Sequence, residues 1–296
     1  MTNDQAQVRA VQAVLLSIFK EIKKICDRHG LRYFAIGGTL IGAVRHRGFI
    51  PWDDDLDLAM PEEDYRRFII AAKEELPSNL RVFERREHAH DCIDAARVHD
   101  VNTTFIQGHD VRHPEEYKGV FVDILPLYGV PEDRDEQRRY CKKFCRYYRF
   151  NDKRRSDFSH MAGLKPRLMW IAASPLRLIL PRDFWYKRLD RLKARYPYEK
   201  MTMTGDTWVA HIDNILFPKS VYETSVSLPF EDTEMNCSAH YDEYLTRIFG
   251  DYMTPPPEDK RGEEHGATSV VIDAETPYSY YQQMFLEKGT IKKEFV

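Results

Sequence analysis

The 296-residue chain has no run of about 18 consecutive apolar residues, so no membrane-spanning helix is expected. Cysteine is scarce: Cys26, Cys92, Cys141, Cys145 and Cys237 make an odd, scattered set. That pattern excludes a disulfide framework. Cys141 and Cys145 lie four apart, but no second Cys or His pair stands at zinc-like spacing, so both read as free thiols. The opening residues Met1-Thr-Asn-Asp-Gln are polar and carry no signal-peptide pattern. A reducing cytoplasm is the expected location. Internal repeats are also lacking, and a net charge of −3 points to no particular partner.

What the chain does have is enough length for a large core, an ordinary soluble balance of 43% hydrophobic and 31% charged residues, and charge that is unevenly spread. Residues 134–195 hold 19 Lys+Arg against 6 Asp+Glu, a net +13, which leaves −16 for the rest. Such asymmetry suggests that the middle segment faces something anionic.

The periodicity predicts an amphipathic helix over residues 5–29, with Val8, Val11, Leu15, Ile18, Ile22 and Ile25 on one face and Gly30 as its cap. Leu31–Ile36 reads as a strand ending at Gly37-Gly38, and Thr39–Val44 as a short helix. Phe49–Trp52 turns around Pro51. Leu56, Leu58 and Met60 alternate with Asp55, Asp57 and Ala59 at the period of a strand, which Pro61 stops. A helix is expected over 62–75 and two or three strands over 80–106. Gly119–Leu125 reads as a buried strand closed by Pro126. Residues 132–155 form a strongly basic helix, and 164–196 read as helical with breaks at Pro166, Pro175 and Pro181. Short strands are expected within 206–230 and a helix over 241–249. Beyond about 262 the tail is polar and reads as loosely ordered.

The chemistry gathers in three places. Asp55 and Asp57, as residues i and i+2 of a strand, point to one face. Two unneutralised carboxylates beside a core repel each other at a cost of several kcal/mol. A divalent cation removes that cost, and carboxylates are preferred ligands of Mg²⁺, with Mn²⁺ an acceptable substitute. Asp123 sits between Val122 and Ile124, an odd place for a charge unless it completes such a site. Gly37-Gly38 follows a strand and precedes a helix, where free backbone N–H groups suit phosphate, and Thr39 adds a hydroxyl. Arg45, His46 and Arg47 are cations between the two elements. The bland alternatives are a solvated acidic turn over Asp53–Asp57, a plain tight turn at Gly37-Gly38, and an exposed basic turn at 45–47.

Residues 37–58, Gly-Gly-Thr-Leu-Ile-Gly-Ala-Val-Arg-His-Arg-Gly-Phe-Ile-Pro-Trp-Asp-Asp-Asp-Leu-Asp-Leu, resemble the signature of the LicD family, which includes the fukutin-related proteins. Phe121–Leu127 resembles the family's third-carboxylate strand, and Asp242–Met253 with the prolines after it resembles its C-terminal block. The segment from about 131 to 224 matches nothing recognisable. The resemblance implies an α/β (α+β) nucleotidyltransferase-like fold: a mixed sheet with flanking helices. Residues 1–130 are expected to form the catalytic core, 131–205 a basic helical insertion, and 206–296 the remainder of the catalytic domain.

It further implies transfer of phosphocholine, or a related polyol phosphate, from a CDP-linked donor to a hydroxyl of a cell-surface glycan precursor. Asp55 and Asp57 would hold Mg²⁺. Asp123 would take the acceptor proton or act as a third ligand. Gly37, Gly38, Thr39 and Arg45 would cradle the donor phosphates. Trp52 and Asp53 belong to the motif without an assigned role.

A trimethylammonium group needs aromatic faces. Phe49, Trp52 and Tyr128 lie near the motifs, but packing explains each of them as well. The basic segment 138–180 interleaves cations and aromatics, which suits a peripheral contact with the inner membrane face, an ordinary helical subdomain with a solvated basic face, or, as a rival, RNA. No nucleic-acid partner is expected. Two other functions would use the same fold: transfer of NMP from an NTP, and a non-catalytic scaffold.

Overall fold

The computed structural model describes residues 3–84, 95–107, 117–155, 164, 168, 171, 184–205, 216–258, 261 and 269–288. Two compact units result, one from residues up to 126 together with 220 onward, the other from 127–219.

The first unit begins with α1 (Asn3–His29), two residues longer at its start than the pattern predicts. Val11, Leu15, Ile18, Phe19 and Ile22 are fully buried. Gly30 ends the helix at φ +62°, a left-handed conformation that suits glycine. β1 is only Phe34–Ala35, because its antiparallel partner β2 (Asp57–Pro61) offers it just two paired positions. α2 (Gly37–Ile41) runs on into a π-helical turn over Gly42–His46, so this helix starts earlier and ends later than expected. α3 (Glu62–Glu75) has the predicted bounds, with Glu62, Glu63 and Asp64 in its first turn, where acidic side chains complement the helix dipole.

Three more strands follow: β3 (Leu80–Glu84), β4 (Ala96–Asp100) and β5 (Thr104–Gln107). With β6 (Phe121–Val130), five strands build a mixed sheet in the order β1-β2-β6-β4-β3, the α/β class expected.

Two strand expectations need correction. Asp55 lies outside the strand, which begins at Asp57. Beyond that point Leu58, Ala59 and Met60 are all buried, so the strand is covered on both faces and does not alternate. Nor does Pro126 close β6. The strand pairs with β4 over Phe121–Ile124 and with a later strand over Tyr128–Val130. Pro126 falls between the two ladders, where no backbone N–H is needed.

The polar tail is also corrected. β11 (Ser269–Asp273) pairs with β5, and the final helix (Tyr278–Lys288) brings Tyr278 and Tyr281 against Ile106 and Val271. Four apolar groups on both sides of one small interface explain the order. Between these lie the hairpin of β9 (Ser225–Phe230) and β10 (Thr233–Ser238), and a helix at Tyr241–Phe249, as predicted. We number the helices in chain order, so Tyr241–Phe249 is α6 and Tyr278–Lys288 is α7.

In the second unit, α4 (Arg134–Arg155) packs against α5 (Phe184–Lys193), and β7 (Met203–Gly205) pairs with the end of β6 and with β8 (Leu216–Pro218). Tyr140, Cys141 and Phe144 are buried against Val130, Leu189, Leu192 and Leu216. The aromatics that alternate with cations in the sequence therefore form a core here rather than a stacking platform. Cys26, Cys141, Cys145 and Cys237 are free thiols, and Cys92 lies outside the described residues. Among the described residues no helix is long and apolar enough to cross a membrane. Leu164, Leu168 and Ile171 are helical and 74%, 56% and 52% exposed, while most of 164–183 lies outside the described residues.

Candidate active site

The site is built around the start of α2. Gly37 opens that helix at φ +57°, a conformation costly for any residue with a side chain. Its N–H faces the Tyr244 hydroxyl of α6 at 3.4 Å. A Cβ placed on Gly38 would stand 2.7 Å from Asp53 Oδ2, and one on Gly37 3.8 Å from Asp57 Oδ2. The two glycines thus let two carboxylates approach one helix end. Thr39, buried, accepts the Asp57 backbone N–H on its Oγ1 at 2.9 Å, and Asp57 O accepts the Ile36 N–H at 3.3 Å. The Thr39 hydroxyl oxygen therefore helps to fix Asp57.

Asp123 is brought in by β6, whose Asp123 N–H donates to Leu56 O at 3.0 Å, one residue before Asp57. Its carboxylate receives Arg97 Nε at 2.9 Å. Arg97, directly opposite Asp123 in the β4–β6 register, also lies over the Phe121 ring at 4.1 Å. Sequence reasoning missed Arg97. The missed signal is a cation in the alternating run Ala96-Arg-Val-His-Asp100, beside the strand that carries Asp123.

Five carboxylates, Asp53, Asp54, Asp55, Asp57 and Asp123, therefore form one electrostatic cluster. Asp53 shares a hydrogen bond with Asp55, and its acid is pushed up to about 9, first by burial, then by the charges of Asp55 and Asp54. Asp57 is raised well above the usual carboxylate range, by burial and then by Asp55, Asp123 and Asp53, with Arg97 opposing. As they stand, no three His, Cys, Asp or Glu side chains among the described residues are arranged to hold a metal ion. The carboxylates are held pairwise: Asp53 is hydrogen-bonded to Asp55, and the Arg97 guanidinium holds Asp123. The donor set is nonetheless all hard carboxylate oxygen, the chemistry Mg²⁺ prefers.

The loop between α2 and β2 is tied from outside. Gln12, only 2% exposed on the apolar face of α1, donates to Ile50 O at 3.0 Å and Asp53 O at 2.7 Å. Glu231, at the hairpin tip, accepts the Phe49 N–H at 3.0 Å, and its own N–H donates to Arg47 O at 2.9 Å. Arg45 Nη1 donates to Tyr252 O at 2.5 Å. His46 stands edge-on to Trp52 at 6.3 Å, and both His46 and Arg45 are held below their usual pKa, chiefly by burial. Arg47 is exposed, with φ +56°.

None of the three nominated aromatics is a ready choline face. Phe49 is buried against Phe230 at 4.9 Å. Trp52 carries Arg261 at 4.7 Å. Tyr128 belongs to the other unit, where Lys193 lies over its ring at 4.1 Å.

Residues 30–161 match the family model described as LicD/FKTN/FKRP, nucleotidyltransferase domain. Over that segment the chain is similar to the LicD family. It is 27% identical over 278 residues to the lipopolysaccharide cholinephosphotransferase LicD of Haemophilus influenzae, covering 90% of this chain and 98% of that one. An uncharacterised protein of Rickettsia prowazekii is 31% identical over 110 residues, 35% of this chain and 41% of its own. The ribitol 5-phosphate transferase FKRP of Homo sapiens is 48% identical over 40 residues, 14% of this chain and 8% of that protein. The two relatives with a named activity are both phosphotransferases.

Proposed function

We propose that this chain is a LicD-type enzyme that transfers phosphocholine, or a related polyol phosphate, from a CDP-linked donor to a glycan hydroxyl. The observation that carries the reading is the approach of Asp53 and Asp57 to Gly38 and Gly37 at the start of α2, with Asp55 and Asp123 close enough to raise the Asp57 acid. The near full-length likeness to a cholinephosphotransferase supports it.

In this reading Asp55 and Asp57 would hold Mg²⁺, with Asp53 and Asp123 beside them. When bound, the ion would neutralise charge on the transferring phosphoryl group and the departing CMP. The chain's own groups do the rest. Gly37 and Gly38 would offer phosphate oxygens backbone N–H groups at the start of α2. Asp123 is the candidate base for the acceptor hydroxyl, oriented by Arg97. Incubation with CDP-choline or a CDP-polyol plus acceptor glycan should release CMP. Pyrophosphate release from an NTP instead would sink the reading. Presenting the acceptor in anionic vesicles tests whether the exposed Leu164, Leu168 and Ile171 hold the enzyme at the inner membrane face: equal turnover with free acceptor would refute that part.

The carboxylate cluster also predicts a pH dependence. A carboxyl whose acid is raised on folding binds more protons folded than unfolded, so stability falls as pH rises. For Asp53 the window runs from 3.8 to about 9. Chelator-treated protein should therefore melt at steadily lower temperature from about pH 5 to about pH 8. Added Mg²⁺ should flatten that trend, most strongly at the alkaline end. A melting temperature indifferent to both pH and Mg²⁺ would argue against a shared site.

A further inference from the structure

The geometry points to a two-arginine anion site, formed by Arg45 and Arg261 beside Trp52, that takes the phosphate oxygens of the nucleotide-linked donor. It deepens the reading above and names a residue outside residues 30–161.

Arg45 ends the π-helical turn, half-buried, with one guanidinium nitrogen on Tyr252 O. It makes no ion pair with a carboxylate among the described residues. Its Nε donates to His46 Nδ1 at 3.4 Å, His46 stands edge-on to Trp52 at 6.3 Å, and Arg261 lies over that same ring at 4.7 Å. Burial, and then the Arg261 charge, hold the Arg45 pKa below its usual value. Bringing two cations together where water is partly excluded is unfavourable unless an anion joins them.

Arg261 is held in place by three contacts. Its guanidinium carbon lies 4.7 Å over the Trp52 ring, its Nε donates to Pro256 O at 2.9 Å, and Glu258 lies 3.4 Å from Nη1. The Glu258 side chain is 89% exposed, so it offsets little of the charge. Stacking fixes the plane of the guanidinium, and a planar fork of N–H donors suits phosphate oxygens in a way that lysine matches poorly. Trp52 immediately precedes Asp53, whose carboxylate abuts Gly38, so this cationic patch adjoins the acidic cluster. His46 completes the rim without adding charge, because burial and Arg45 keep it below its usual pKa. A trimethylammonium group would be repelled here, so the patch serves the phosphates and not the choline.

The test is isothermal titration of the full chain, with Mg²⁺ present, using CDP, CMP and inorganic pyrophosphate as probes. R261A should weaken CDP and pyrophosphate at least tenfold and CMP less, and should lower the salt dependence of binding. R261K should fall between, because it keeps a charge but loses the planar fork. Wild-type affinity within twofold for R261A on both CDP and pyrophosphate would overturn the site, and so would a wild-type chain that binds neither. If wild type binds pyrophosphate, R261A loses it, and CDP binds no better than pyrophosphate, the anion site stands and the cytidine-linked donor fails.

Discussion

Asp57→Ala is expected to lower transfer by roughly a thousandfold, about 4 kcal/mol of transition-state stabilisation, while the protein stays folded. The two halves of that result have separate causes. The backbone bonds that seat residue 57, from its N–H to Thr39 Oγ1 and from Ile36 N–H to its carbonyl, do not need the side chain. The side chain itself is unfavourable in the folded chain at neutral pH, since burial and three neighbouring carboxylates oppose its ionisation. Without metal, the variant should melt no lower than wild type. With Mg²⁺, wild type should gain stability and the variant should not. CMP release and thermal melts check the two halves. Turnover close to wild type would remove Asp57 from the site altogether.

Gly42→Ala should have the largest effect on folding of any single change in the signature. A Cβ there would stand 2.5 Å from the Gly48 carbonyl oxygen and 3.3 Å from Ile50 N, and both obstacles are backbone. Neither can swing aside as a side chain would. Either the π-helical turn or the 48–50 loop must move, at a cost of about 1–3 kcal/mol. Because that loop leads directly into Trp52 and Asp53, activity should fall along with stability. Denaturant melts and CMP release measure both. A variant with wild-type midpoint and rate would show that the loop has slack the packing denies. Gly30→Ala, at a position with nothing within 4 Å, is the matched comparison, and its cost comes only from the left-handed backbone.

Local pattern made α1, α3 and α6 legible, because each buries one stripe at helical spacing and has a clear boundary, at Gly30 after α1, Pro61 before α3 and Gly250 after α6. Asp123 was legible as a charge in an apolar run, and the structure sets it close to Asp57. What the pattern hid was partner choice. β6 reads as ending at Pro126 until a second ladder is seen to begin two residues later. The tail reads as polar until Val271, Tyr278 and Tyr281 meet Ile106, more than 160 residues earlier in the chain. Arg97, Tyr244, Glu231 and Arg261 reach the site only through such distant pairings. Gln12 did leave a trace, as a polar residue next to Val11 on the buried face of α1.

The ties on the 37–57 segment come from both directions along the chain: Gln12 before it, and Glu231, Tyr244 and Tyr252 long after it. A fragment cut to residues 30–161 would hold every candidate carboxylate and none of these anchors. The same holds during synthesis. At roughly 5–20 residues per second, the ribosome would need about 10–40 s between making Asp57 and making Tyr252. Through that interval the nascent chain carries its complete acidic signature with the framework that shapes it still unwritten.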